Sequence, residues 1–196
     1  MLVGFGFKAN SGKGTCADLL VKHYEFKPVS FADAIKRASM KMFGFTEEQT
    51  FTQEGKKTVD PFWGITPVQA FQWVGTECFR ETFGDLMVDA GIWSEEGAQD
   101  FWIKALQKRL ESRLLTENFV LEDVRFPNEA KWIKNMGGVL IRVDRKDQNE
   151  LDIGRDREHL SETSLEGYEG WDFVIHNDST IENMKKQLTK IMANET

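Results

Sequence analysis

The chain has 196 residues, 40% hydrophobic and 29% charged, with a formal net charge of −7. Six Trp and fifteen Phe can fill a sizeable core, which sets it apart from disordered sequences. The acidic balance and the lack of a basic tract argue against nucleic acid as a partner, and no apolar stretch approaches the roughly 18 residues of a membrane span. A cytoplasmic protein with small-molecule partners is expected.

In chain order, Leu2-Val3-Gly4-Phe5 reads as an opening strand within the apolar run Met1 to Phe7, followed by a glycine-containing loop and a helix from Thr15 to Tyr24. Phe26 to Phe31 reads as a second strand and Ala32 to Phe43 as a helix. A longer helix begins at Thr66-Pro67, a Thr cap with Pro at the first helical position. Another places Ile103, Leu106, Leu110 and Leu114 on one face. Phe119-Val120-Leu121 is a short buried strand, and the helix after it runs from about Pro127 to Met136, stopped by Gly137-Gly138. Val139 to Val143 and Phe173-Val174-Ile175 are further strands, and Ile181, Met184, Leu188 and Ile191 mark the last helix.

Strands alternating with helices imply a parallel sheet covered on both faces, with ligands at the carboxyl ends of the strands. The charged excursion from Arg145 to Gly170 is long for a compact domain and reads as a mobile lid, against the plainer reading of a solvated surface loop. Cys16 and Cys78 have no CxxC partner and read as buried thiols.

The strongest chemical signal is Lys8-Ala9-Asn10-Ser11-Gly12-Lys13-Gly14-Thr15, between the opening strand and its helix. Successive backbone N–H groups and the helix N-terminus can surround phosphates there, while Lys13 reaches the β- and γ-oxygens. Asn10, Ser11, Gly12, Lys13, Gly14 and Thr15 are therefore the ATP-binding candidates. Two positions depart from the usual motif. Phe7 stands where a glycine is expected, with Gly6 one place early, and Gly14 stands where Ser or Thr usually holds Mg²⁺. The metal is then expected at Thr15 or at waters held by a carboxylate.

Glu122-Asp123-Val124-Arg125-Phe126-Pro127-Asn128-Glu129 follows a buried strand. Asp123 suits a magnesium-bound water, and the fork of Arg125 suits a transferring phosphoryl group; the plainer reading is that Asp123 and Asn128 cap the next helix. In Gln72-Trp73-Val74-Gly75-Thr76-Glu77-Cys78-Phe79-Arg80, mid-helix Gly75 points to a close approach, and Arg80 could pair with a phosphate. Trp73 could stack on a base, although its ordinary reading is core. The excursion supplies Arg145, Arg155, Arg157 and His159, with Glu162 as an anchor. Asn177-Asp178-Ser179 caps the last helix or lies beside an adenine.

These segments share an order with one family. The loop Lys-x-x-Ser-Gly-Lys-x-Thr, Phe31-Ala32-Asp33-Ala34-Ile35-Lys36, Gln72 to Glu77, Asp123 to Glu129, His159-Leu160-Ser161-Glu162 and Asp172 to Asp178 together resemble the deoxynucleoside monophosphate kinases of tailed bacteriophages, over nearly the whole chain. The resemblance implies an α/β three-layer P-loop fold in one domain spanning 1–196, with a helical substrate part at about 45–116 and a lid at about 145–170. It implies ATP- and Mg²⁺-dependent conversion of a dNMP to its dNDP for phage DNA synthesis. Lys8 and Lys13 would contact transferred phosphates, and Lys36, Arg80 and Arg125 would serve the monophosphate. Asp33, Trp73, Gly75, Thr76, Glu129, His159 and Glu162 would form the acceptor pocket or its lid, and Asn177 would serve ATP. Such relatives include homodimers. Val68-Gln69 stands where relatives often carry arginine. Other small-molecule kinases and a non-catalytic nucleotide-binding regulator are the rival readings.

Overall fold

Strand alternation in the opening residues decides which side of the sheet is which. The computed structural model describes residues 1–145 and 159–194. In chain order its regular elements begin with β1 (Leu2–Gly6), α1 (Lys13–Tyr24), β2 (Lys27–Val29), α2 (Ala32–Phe43), α3 (Glu47–Phe51), α4 (Pro67–Trp73), α5 (Phe83–Asp89) and α6 (Phe101–Leu110). They continue with β3 (Phe119–Val124), α7 (Pro127–Asn135), β4 (Val139–Asp144), α8 (Leu160–Thr163), β5 (Phe173–His176) and α9 (Ile181–Asn194). A π-helical segment, Val74–Thr82, joins α4 to α5.

The described residues form two compact units. The first takes residues 1–30, 110–145 and 162–194, and the second takes 31–109 and 159–161. The first unit is an α/β three-layer fold. Its sheet is parallel in the order β2-β3-β1-β4-β5. Val3 and Phe5 of β1, Val139, Ile141 and Val143 of β4 and Ile175 of β5 pack with Cys16, Ala17 and Leu20 of α1 and Met184, Leu188 and Ile191 of α9. This buried cluster is the main core of the unit. Phe5 is fully buried in it, so Phe5→Ala would cost about 3–5 kcal/mol, read as a lowered midpoint in a denaturant titration.

The opposite face of β1 carries glycines for a packing reason. A Cβ at Gly4 would lie 2.5 Å from Ile133 Cδ1 of α7, and one at Gly6 would lie 2.6 Å from the Trp171 ring. Gly6 is therefore a seat for an indole at the end of β1, which explains why it stands one place early for the loop motif. α7 closes this face with buried Ala130 and Ile133.

The helical boundaries follow local chemistry. α1 starts at Lys13, two residues before the expected Thr15, because Gly12 in the left-handed region already turns the chain into the helix. The expected strand from Phe26 to Phe31 shortens to β2, since Ser30 leaves the ladder and Phe31 has entered the helical region at φ −62° as the cap of α2. Thr66 and Gln69 form a reciprocal capping box at α4, with Pro67 in its first turn. Within the lid-like excursion, Leu160–Thr163 forms α8. Among the described residues no helix is long and apolar enough to cross a membrane.

The two cysteines differ, which corrects the expectation that both are buried. Cys16 is buried, and desolvation pushes its thiol up to about 12, against a smaller lowering by Lys13. Cys78 is exposed on the π-helical segment. A thiol-disulfide reagent at pH 8 is therefore expected to label one cysteine in the folded protein and two after denaturation. Peptide mapping that finds Cys16 modified in the folded protein would contradict this, because below about 12 its thiolate is disfavoured and the packed core blocks access.

Candidate functional site

The loop from Phe7 to Gly12 leaves the carboxyl end of β1, a central strand, and is shaped by three positive φ angles. They are Phe7 at 92°, Asn10 at 57° and Gly12 at 106°. The position that departs from the motif thus keeps the backbone conformation that glycine usually supplies. At α1, Gly12 provides no side-chain cap and the first turn carries no acidic residue. The N-terminal amides and the positive end of the helix dipole therefore suit an anion.

Lys13 is 7% exposed. Its ammonium donates to the Phe7 carbonyl at 3.2 Å and to the Lys8 carbonyl. Ser11 is fully buried, and its Oγ has no hydrogen-bond partner among the described residues. Such a group is costly unless a ligand or water satisfies it. Asn177, after β5, donates from Nδ2 to the Ser11 carbonyl at 2.9 Å and lies over Gly12, where a Cβ would come 2.5 Å from that nitrogen. It thus braces the loop from outside. Arg145 Nη1 reaches the Asn10 carbonyl at 3.5 Å, and Lys8 pairs with Glu166 at 3.2 Å.

The two carboxylates near the end of β3 divide their work. Asp123 accepts from Ser30 Oγ at 2.5 Å, joining β3 to the end of β2. Its neighbour Glu122 is the one beside the first turn of α1, since a Cβ at Gly14 would lie 2.9 Å from Glu122 Oε2. The register shift between β1 and β3 after Gly4 changes the alternation here, so no pattern in the chain warns of this choice. Gly14 leaves room for a carboxylate oxygen where the common motif places a hydroxyl. Thr15 is half-buried in the first turn of α1.

Arg125 follows directly. Its Nη1 donates to Glu162 Oε2 at 2.6 Å, and its backbone N–H donates to Glu129 Oε2 at 2.8 Å. Glu129 is 2% exposed and also accepts from the Phe126 N–H at 3.2 Å. Glu129, expected as an acceptor-pocket residue, caps α7 and fixes the backbone that carries Arg125.

The second unit holds the remaining expected acceptor residues. Asp33 pairs with Arg37 at 3.2 Å and with Arg109 at 2.5 Å, and Lys36 is half-buried on the same helix. Gly75 meets Ile35, whose Cδ1 would lie 2.9 Å from an added Cβ, and its carbonyl accepts from Trp102 Nε1 at 2.7 Å. The close approach it marks is therefore side-chain packing. Thr76 is buried. Arg80, expected to pair with a phosphate, is 3% exposed with Nη1 on the Gln99 carbonyl at 2.9 Å. Trp73 is 44% exposed, which corrects its ordinary reading as core.

His159 joins this unit through Glu77, with Nε2 3.0 Å from Glu77 Oε1. The Ser161 N–H donates to His159 Nδ1 at 3.1 Å, so the ring proton of neutral His159 sits on Nε2 and is donated to Glu77. Arg155 and Arg157, expected in the lid, lie outside the described residues. Glu122 and Glu77 are not singled out by sequence reasoning. Each stands in a segment that is, and in neither case does local spacing mark the partner. Among the described residues no group of three or more His, Cys, Asp or Glu could hold a metal ion, so these residues alone build no metal cage.

Comparison with known proteins gives one family. The model of the family described as "Deoxynucleotide monophosphate kinase" matches residues 82–188. A protein of Acanthamoeba polyphaga mimivirus named "Putative deoxynucleotide monophosphate kinase" is 34% identical over 198 residues, covering 99% of this chain and 97% of its own. Among solved structures, TT1252 from Thermus thermophilus is similar with a TM-score of 0.52 at 16% identity, covering 100% of this chain and 98% of that one. Shikimate kinase from Aquifex aeolicus gives a TM-score of 0.48 at 13% identity, covering 100% of this chain and 98% of that one.

Proposed function

Because the chain belongs to the deoxynucleotide monophosphate kinase family, we propose that it transfers the γ-phosphoryl group of ATP to a deoxynucleoside 5′-monophosphate, giving the dNDP and ADP. A bond forms between an acceptor phosphate oxygen and Pγ, and the bond from Pγ to the β,γ-bridging oxygen breaks. The observation that carries the reading is the loop before α1. It joins a buried Lys13 ammonium, a left-handed Gly12 and an uncapped helix N-terminus at the end of a central strand.

In this mechanism the loop amides bind the β-phosphate and Lys13 turns from the Phe7 and Lys8 carbonyls onto the β- and γ-oxygens. Arg125, held by Glu162, stabilises charge on the transferring group with its planar fork. Lys8 assists from the same loop. The acceptor phosphate is already anionic near neutral pH, so no general base is needed, and positioning and electrostatics supply the rate.

The residues present fit magnesium bound together with ATP. Glu122 beside Gly14 and the Thr15 hydroxyl would hold it or its waters, together with oxygens of the bound phosphates. When bound, it neutralises charge on the β- and γ-phosphates. Asp123, tied to Ser30, would support that site indirectly. Acceptor recognition belongs in this proposal to Asp33, Lys36, Trp73, Thr76 and the Glu77–His159 pair. Exposed Trp73 offers a stacking face, and His159 orients a carboxylate that can accept from a base N–H. A place in bacteriophage DNA-precursor supply is part of the same reading.

The test is ADP release with ATP, Mg²⁺ and each of dTMP, dGMP, dCMP and dAMP in turn. Turnover with one or more is expected. Measurable ATP binding with no turnover on any of the four would overturn the proposal.

A further inference from the structure

We propose that Arg142 is a positioning residue for the nucleotide loop, acting through the ring of Phe7. The proposal rests on the loop binding a nucleoside triphosphate and is independent of the acceptor's identity. Phe7 has φ 92°, a conformation that is a genuine outlier for a bulky side chain and that the common motif leaves to glycine. Such strain persists only where the surroundings over-determine it.

The surroundings here are specific. Arg142 Cζ lies 3.9 Å from the centroid of the Phe7 ring, within cation–π range. The guanidinium is itself fixed, with Nε donating to Asp144 Oδ1 at 2.6 Å. Its backbone is fixed too, because Arg142 pairs in register with Gly6, the residue before Phe7. Alternation along β4 sends Ile141 and Val143 into the core and leaves Arg142 for the other face. The strand next to the loop therefore delivers the clamp.

What the clamp fixes is the direction of one carbonyl. The Phe7 carbonyl accepts from Lys13 Nζ at 3.2 Å, so the strained residue is also the resting place of the ammonium that must engage phosphate. Releasing the ring lets φ of Phe7 relax, and both the carbonyl and the loop amides beyond it lose their aim. Glycine at position 7 would adopt the same φ without help, so the need for Arg142 exists only while Phe7 is present.

The experiment is a cycle on the full-length chain, with ATP affinity measured by calorimetry for wild type, Phe7→Gly, Arg142→Met and the double variant. With Phe7 in place, Arg142→Met is expected to weaken ATP binding about 10-fold, the scale of a partly desolvated cation–π contact. In the Phe7→Gly background the same substitution is expected to change affinity by less than ~2-fold. A merely structural arginine, or one touching ATP directly, would cost the same in both backgrounds, and that result overturns the proposal. So does an Arg142→Met variant that binds like wild type, or a wild type that binds no ATP. If Arg142→Met does not fold, Asp144→Asn, which loosens the guanidinium, replaces it with the same background dependence expected. Wild type that binds ATP but phosphorylates no dNMP refutes the proposed reaction while leaving this comparison readable.

Discussion

Lys13→Ala is expected to lower kcat by at least ~100-fold while the protein stays folded, as measured by steady-state kinetics and a thermal melt on the same preparation. The size of the effect follows from where the ammonium sits. It is 7% exposed and bonded to two loop carbonyls, so its charge is held in a poorly solvated place where it acts strongly on a phosphoryl group. Charge develops on the β,γ-bridging oxygen as the bond to Pγ breaks, and the Lys13 ammonium is the cation already resting at the start of α1. The folding cost is smaller, about 1–3 kcal/mol for carbonyls left to find new partners, since the core beneath α1 is untouched. Lys13→Arg keeps the charge, but its planar fork cannot rest on the same carbonyls, so only partial recovery is expected. Activity within about threefold of wild type in Lys13→Ala would remove the loop from the mechanism, because an electrostatic stabiliser is worth far more than that.

The first unit is legible in the chain because its signals are local. Apolar alternation in β1, a glycine loop and a periodic helix after it are written within residues 2–24, and in the second unit α4 carries its own capping box at Thr66 and Gln69. What escapes sequence reasoning depends on contacts between distant segments. Gly6 reads as a displaced motif glycine until Trp171 is seen to occupy the place of its side chain. That Glu122 lies beside Gly14 while Asp123 meets Ser30 follows the irregular register between β1 and β3, which no pattern in the chain announces. Glu77 meets His159 across 82 residues.

Two residues of the π-helical segment, Cys78 and Arg80, show what local spacing misses. The usual habits of cysteine and arginine bury the first and expose the second, and the π-helical segment that holds both rearranges which faces are covered. In π geometry successive residues advance by less than in an α-helix, so a face inferred from 3.6-residue spacing drifts along Val74–Thr82. Arg80 is thereby turned inward onto the Gln99 carbonyl, while Cys78 is left exposed.

Arg125 is the second residue whose loss is expected to be severe, with Arg125→Ala lowering kcat by about 100- to 1,000-fold, the range for removing one preorganised electrostatic stabiliser. Two carboxylates prepare it. Glu129 holds the Arg125 backbone N–H at 2.8 Å, and Glu162 holds Nη1 at 2.6 Å, leaving the fork oriented before substrate arrives. The side chains of Arg125 and Glu162 are 22% and 11% exposed, so breaking the pair also costs stability, about 1–3 kcal/mol. That makes Arg125→Ala alone ambiguous between a folding defect and a catalytic one. Arg125→Ala with Glu162→Ala separates them. Removing both charges relieves the uncompensated carboxylate, so Tm is expected to return towards wild type, whereas kcat is expected to stay at the single-variant level. Arg125→Lys keeps the charge without the fork and is expected to recover less than about a tenth of the lost rate. Recovery of both Tm and kcat in the double variant would show that the arginine serves the fold, and the phosphoryl group would then need another cation.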